Sequence, residues 1–561
     1  MTTVPAVIFS LCFSLTILSC VCDGAKTFPP GFKFGAATSS YQVEGSWDSD
    51  GKGESIWDRF VHKFPEAIID NSTADVAADS YKKWKEDIRI ASEMGLQFYR
   101  FSISWPRIFP TGFTNKPNQA GIKYYSDLID ALLDVGIQPI VTLYHWELPV
   151  AIQDLGGWAN PYISDWFADY AIQVFSLYAD RVKIWLTINE PWLICDVGYV
   201  EGTFAPGIKE EQLGPYICSK NLLMAHAKAY RIFDRNFRSL YGGRISIANH
   251  LLWFEAETPE NEKLAQLTME YMVGRYCHPI FSKQGGWPPK VEKLMKDYSQ
   301  KQGYSRSRLP AFTAAERRFV RGTADFFAMN YYMGLSVRQA KPGEKIVNPI
   351  KSGTHELNAV MTIPPNAYTS ATRVVYPVGL RRSLSWVKKS YGNWEIFITE
   401  NGYPTAGLEL EDYDRVVGLK DHLEQIHLSI YEDGVNVIGY TVWALMDNFE
   451  WIDGYSVRFG LYQIDFNDPD RKREAKLSSK YYKCVIKNNS FDVPKECFNM
   501  SFNQTEIRSK RQINLPNVPF LPKPSEVANG VDFMKEVYDN RHCIAKVMCL
   551  FGKILTLMGN R

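Results

Sequence analysis

The stretch "WEIFITENG", Trp394 to Gly402, decides how this 561-residue chain is read. Ile396 to Thr399 are apolar or β-branched, the composition of a buried strand. The strand then runs into a carboxylate, Glu400, followed by Asn401 and Gly402, which read as a turn. A strand end that served only stability would more often be closed by turn residues alone. The acid therefore calls for a fold in which strand ends do chemical work.

Seven further stretches read as buried strands. Candidate strands are "FKFGAATS" (32–39), "FYRFSISW" (98–105), "PIVTLYHW" (139–146), "VKIWLTINE" (182–190), "RISIANHL" (244–251), "DFFAMNYY" (325–332) and "VIGYTVWAL" (437–445). Helical stretches separate them, for example "GIKYYSDLIDALLDVG" (121–136), with apolar residues at helical spacing. Eight strands, each followed by helical material and burying both faces, predict an α/β fold with a single (β/α)8 TIM barrel over 23–490. A doubly wound open sheet is disfavoured because no G-x-G-x-x-G follows the first strand. Such barrels build their sites at the C-terminal strand ends. Here those ends carry Arg100 and Ser104, His145 with Trp146, Asn189 with Glu190, Asn330 to Tyr332, and Glu400.

With 63 basic against 62 acidic side chains, the chain has neither a basic stripe for nucleic acid nor an acidic tail. Residues 1–22 contain no charged side chain and end in small residues, which predicts a secretory signal peptide and an extracellular protein. Four sequons, at Asn71, Asn488, Asn499 and Asn503, are glycosylation candidates on a secreted surface. Seven cysteines remain after the leader. Cys195 with Cys218 and Cys484 with Cys497 would close short loops, and the pairing is left open. Residues 491–561 read as a C-terminal extension, either an arm on the barrel or a partly disordered tail. Its final run, "HCIAKVMCLFGKILTLMGNR", is too short to span a bilayer comfortably, so no membrane partner is expected. A homodimer is left open.

Glu190 in "LTINEPW" and Glu400 in "FITENG" each close a strand. Paired carboxyls suit glycoside hydrolysis, in which one protonates the leaving oxygen and the other attacks the anomeric carbon or activates water. Arg100 suits the role of holding a neighbouring carboxylate charged. The alternative is a structural ion pair inside the barrel. Around these residues, "HW", "NEPW" and "WALMDNFEW" interleave hydrogen-bonding and aromatic side chains, as sugar binding requires.

With "FKFGAATSSYQVEG", "YRFSISWPRIFP", "YHWELP", "TINEP", "NYY", "ITENG" and "WALMDNFEW" followed by "YSVRFG", the chain over 28–490 resembles glycoside hydrolase family 1, the retaining β-glucosidases. The resemblance implies Glu190 as acid/base, Glu400 as nucleophile, and Arg100 and Tyr332 as partners of the nucleophile. It implies a glycone set of Gln42, His145, Trp146, Asn189, Glu450 and Trp451, with Trp443 as stacking platform. Phe459 would close the pocket, and Trp192 would meet the aglycone. No cofactor and no metal are implied. The substrate would be a small β-glycoside or oligosaccharide with an unmodified terminal β-glucose, and β-galactosides or β-fucosides stay open. Departures are Ile188, where the family commonly has an aromatic residue, and Glu147, where Asp is commoner. Alternatives are transglycosylation, a myrosinase-like thioglucosidase and a Klotho-like binding protein. The glutamine of plant-type thioglucosidases is absent at Glu190, and both glutamates that Klotho-like proteins lose in part are present.

Overall fold

A computed structural model describes residues 26–371 and 373–498. The expected leader, the sequons at Asn499 and Asn503, and the tail with Cys543 and Cys549 lie outside the described residues. The eight expected strands are all present: β1 (Lys33–Ala37), β2 (Phe98–Ser102), β3 (Gln138–Tyr144), β4 (Ile184–Asn189), β5 (Arg244–Ala256), β6 (Phe327–Gln339), β7 (Ile396–Asn401) and β8 (Val437–Trp443). Each pairs in parallel with the next, and β8 pairs back onto β1, so the sheet closes on itself. The architecture is the (β/α)8 barrel that the alternation implied.

The pleat explains the hydrophobic pattern. Phe98, Ile140, Leu186, Ala248, Ala328 and Phe397, with Phe326, form an apolar plug inside the barrel. Their strand neighbours Tyr99, Val141, Trp185 and Ile398 face outward and join the main core beneath the helices. The helices follow the same logic. In Gln119–Asp134, Tyr124, Tyr125, Leu128, Ile129 and Leu132 form the buried stripe, and Asn118 caps the first turn by accepting from Ala120 N at 3.2 Å.

β5 and β6 run past their expected ends as a two-stranded overhang, pairing Trp253 with Gly334 through Ala256 with Val337. Ala359–Thr362 adds an antiparallel strand to Ser336–Gln339, and a small hairpin pairs Tyr368–Thr369 with Val374–Val375. The stretch 340–376 is thus a folded lobe seated on this overhang.

Both short-loop cysteine pairs are bonded. Cys195–Cys218 ties the segment Leu193–Glu201 to the helix Gly214–Asn236, and Cys484–Cys497 ties the last long helix to the turn after it. Cys277 is a buried free thiol. Phe491 and Phe498 are buried, so compact structure continues to the end of the described residues. Asn71 and Asn488 lie on the surface.

Gly402, which ends the opening stretch, is required by close approach. A Cβ there would sit 2.3 Å from the Trp443 carbonyl oxygen and 2.9 Å from the Phe459 ring. Gly402→Ala is expected to cost about 1–3 kcal/mol through forced displacement. Urea unfolding measures this, and an unchanged midpoint would show that the strand ends have room to part.

Candidate active site

The alternation of a β-strand would aim Phe397, Thr399 and Asn401 into the barrel and Glu400 outward. The structure overrides this with a bulge. Along the β6–β7 ladder Ile398 pairs with Met329 but Glu400 pairs with Asn330, so two residues of β7 oppose one of β6. Thr399 and Glu400 both face inward, and Asn401 turns out to meet the Tyr440 hydroxyl at 2.7 Å. β4 has the same device, with Leu186 opposite Ser246 and Asn189 opposite Ala248. Glu190 then leaves the strand with φ 49°, a left-handed conformation unusual for a glutamate. Trp146 (φ 88°) and Trp451 (φ 54°) share that strain at the ends of other barrel loops.

Arg100 is the hub of the site. Its guanidinium is 1% exposed and reaches three other strands. Nε donates to Thr142 Oγ1 at 3.1 Å, and Nη2 to Asn189 Oδ1 at 2.8 Å. Nη1 donates to the Thr399 carbonyl at 2.9 Å and to Glu400 Oε1 at 2.5 Å. The Tyr332 hydroxyl donates to the other oxygen of Glu400 at 2.8 Å. Glu400 is thus gripped at both oxygens. Burial pushes its carboxyl up to about 7, Arg100 opposes that rise, and the charge of Glu190 adds to it.

Glu190 is equally buried but has no guanidinium. His250 Nδ1 lies 2.8 Å from its Oε1, and Asn330 Nδ2 donates to the same oxygen at 2.9 Å. No hydrogen bond among the described residues engages Oε2. Asn330 also donates to Asn189 Oδ1 at 3.0 Å and accepts from Thr399 Oγ1 at 2.7 Å, so one amide links the two acids' surroundings.

A second wall is polar and aromatic. His145 Nε2 sits 3.1 Å from Asn189 Nδ2, while its Nδ1 is buried with no partner among the described residues. Burial and the nearby Arg100 hold this imidazole well below its usual pKa, hence neutral. Its ring stacks with Trp443 at 5.7 Å. Gln42 Nε2 donates to Asn448 Oδ1 and the Phe449 carbonyl, each at 2.9 Å, and reaches Glu450 Oε2 at 3.3 Å. Burial lifts Glu450 to about 8, although part of its surface is open to the cleft. Trp451 packs on Trp146 at 4.4 Å, and Phe459 meets Tyr332 edge-on at 5.8 Å. Trp146 spends its indole N–H on the Asn189 carbonyl at 2.9 Å, so it props the strand end that carries Glu190. Trp192 stacks parallel to His250 at 5.7 Å, on the Glu190 side. No group of three or more His, Cys, Asp or Glu among the described residues is arranged to hold a metal.

The sequence-predicted residues therefore fall into one constellation. Sequence reasoning passed over His250, Thr142 and Thr399. Of these, His250 was within reach: it lies in an expected strand, and inspecting strand ends for polar side chains would have found it.

A closed parallel barrel with two buried carboxyls at its C-terminal mouth, ringed by aromatic and hydrogen-bonding side chains, defines a glycoside hydrolase. Residues 24–491 match glycosyl hydrolase family 1, and the chain belongs to that family. It is 43% identical to Myrosinase 1 of Brevicoryne brassicae over 82% of this chain and 98% of that protein. It is 40% identical to the human cytosolic β-glucosidase over 83% and 99%. Among solved structures, an aphid myrosinase superposes with a TM-score of 0.79 at 42% identity, covering 83% of this chain and all of that one. A rice β-glucosidase superposes with 0.76 at 36%, covering 82% and 100%.

Arg100→Met would leave Glu400 buried without its cation. A carboxyl whose folded pKa exceeds its unfolded value, here about 7 against 4.5, costs stability as pH rises between the two. Removing the cation raises the folded value further. The variant is expected to lose about 3 kcal/mol, more at pH 8 than at pH 5. Denaturant unfolding at both pH values measures this, and an equal loss at both would contradict the assignment of Arg100 as the counter-charge.

Proposed function

We propose that the protein hydrolyses terminal, unmodified β-D-glucosides with retention of configuration, by double displacement through a glycosyl ester on Glu400. The observation that carries this reading is the asymmetry of the two acids. Glu400 has a guanidinium on one oxygen and a phenol on the other, which favours its charged form. Glu190 has neither, and its Oε2 is free to carry a proton toward a leaving group. Only Glu400 is balanced by a cation, so the attack on the anomeric carbon is assigned to Glu400 and the proton transfer to Glu190.

In the first step a Glu400 oxygen attacks the anomeric carbon, the glycosidic bond breaks, and its electron pair takes the Glu190 proton as the aglycone departs. In the second step Glu190, now a carboxylate, takes a proton from water, whose oxygen displaces Glu400 from the anomeric carbon. Asn189, held by Arg100 and Asn330, offers its amide beside both acids. His145 Nδ1, Gln42 and Glu450 supply hydrogen bonds to glycone hydroxyls, with Trp443 beneath the sugar's C–H face. Trp192 and the lobe over 340–376 line the aglycone side. A hydrophobic leader and two disulfides support secretion, and surface-exposed Asn71 and Asn488 are its glycosylation candidates.

The likeness to a myrosinase favours a second reading, cleavage of β-thioglucosides at the same site. A thiolate leaves without protonation, so Glu190 would then matter only for the second step.

Glu400→Gln is expected to lower turnover of nitrophenyl β-glucoside at least about 10³-fold. Glu190→Gln should cripple that substrate but spare the first step on dinitrophenyl β-glucoside, whose leaving group needs no proton, and added azide should restore turnover by yielding the β-glucosyl azide. Equal loss on both substrates with no azide effect would overturn the acid/base assignment. Parallel assays with a β-thioglucoside rank the two readings.

A further inference from the structure

The lobe over 340–376 sends one charged side chain back toward the barrel mouth. Arg373 precedes the hairpin strand Val374–Val375, whose residues are buried, as is Tyr376. The Tyr376 hydroxyl fixes this end of the lobe by donating to Glu255 on the β5 overhang at 2.6 Å. From there Arg373 Nη2 donates to Asp453 Oδ2 at 2.7 Å. Asp453 is 4% exposed and lies in the turn that also presents Glu450 and Trp451. That turn is closed by backbone bonds from Asp453 N to the Glu450 carbonyl at 3.0 Å and from Glu450 N to the Gly454 carbonyl at 2.7 Å. A guanidinium from the β6–β7 connection thus holds a glycone-side turn that follows β8.

We propose that Arg373 is a specificity-determining positioning residue, which through Asp453 holds in place the turn that presents Glu450 and Trp451 to the glycone. The inference rests on the reading of Glu450 as a glycone ligand. Two carboxyls three residues apart at the base of a cleft repel one another, and burial disfavours both charges. The groups that act on Glu450 are Arg373, Asp453, Glu400, Tyr332, the amide of Gln42 and the indole N–H of Trp443. Among these, Arg373 is the cation. Without it the turn loses its tie to the lobe, and the Glu450 carboxyl, already lifted to about 8 by burial, rises further and accepts hydroxyls less well as pH approaches 8. Affinity for the sugar then falls while the chemistry between Glu190 and Glu400 is left in place. The arrangement also joins the aglycone wall to the glycone pocket, since the lobe that borders one supplies the anchor of the other.

The test compares Arg373→Met, Arg373→Lys and Glu450→Gln with the parent enzyme on nitrophenyl β-glucoside from pH 5 to pH 8, with thermal unfolding recorded for each. Arg373→Met is expected to raise KM about tenfold, with kcat changed less than about threefold and the KM defect deepening toward pH 8, where the Glu450 of the parent begins to ionise. Arg373→Lys should recover part of the loss, because charge is restored without the forked geometry. If Glu450→Gln raises KM but Arg373→Met does not, the inference fails while the glycone reading stands. If neither variant moves KM, the reading of Glu450 itself fails. A KM defect in Arg373→Met that is independent of pH and not relieved by lysine would overturn the role of its charge at the turn.

Discussion

A guanidinium sealed inside a barrel must find a partner for each N–H or pay the full cost of desolvation. Arg100 answers that demand with four hydrogen bonds drawn from three other strands at once. It takes a threonine hydroxyl from β3, an asparagine oxygen from β4, and a backbone carbonyl and a carboxylate from β7. None of these partners can shift without leaving a buried charge unsatisfied. The same four strands carry the two acids and Asn189, so the ion pair sets the relative placement of the two carboxyls. Beneath it the plug of Phe98, Ile140, Leu186 and Phe397 excludes water from below. Above it Tyr332 completes the grip on Glu400.

The geometry of the sheet had to be bent to this purpose. A regular pleat would have turned Glu400 toward the helices. The extra residue at the end of β7, and its counterpart at the end of β4, re-aim the last side chains without altering the register lower in the barrel. The left-handed backbone of Glu190 completes the turn away from the strand. Such strain persists only where surrounding structure holds it. Here that structure is the contact with His250 and Asn330, and the Trp146 indole bonded to the carbonyl just before it.

Much of this was legible in the amino-acid sequence. The eight strands announced themselves as short apolar runs separated by helical periodicity, because parallel strands are buried on both faces. Glu190, Glu400 and Tyr332 stood out because each is a polar residue closing such a run, and Arg100 because it is a charge inside one. The bulges were not legible, since strict alternation gives the opposite orientation for Glu400 and nothing local to "ITENG" marks the extra residue. The overhang of β5 and β6 was also missed, because it is stabilised by pairing between two strands and by the lobe packed on it. Arg373 was invisible for a related reason. It lies within a stretch with no strong periodicity, and its partner Asp453 is eighty residues away in the chain. Trp146 shows the converse, a residue grouped with the sugar ligands whose indole N–H in fact supports the backbone.

The central claim is that Glu400 forms the covalent bond to the sugar. Incubation with a fluorinated β-glucoside bearing a good leaving group slows hydrolysis of the intermediate and lets it accumulate. Intact mass followed by peptide mapping then locates the label. The account predicts one glycosyl group per chain, on the peptide containing "ITENG" and lost in Glu400→Gln. A label on the "TINEP" peptide, or turnover of the substrate with inversion and no label at all, would contradict it.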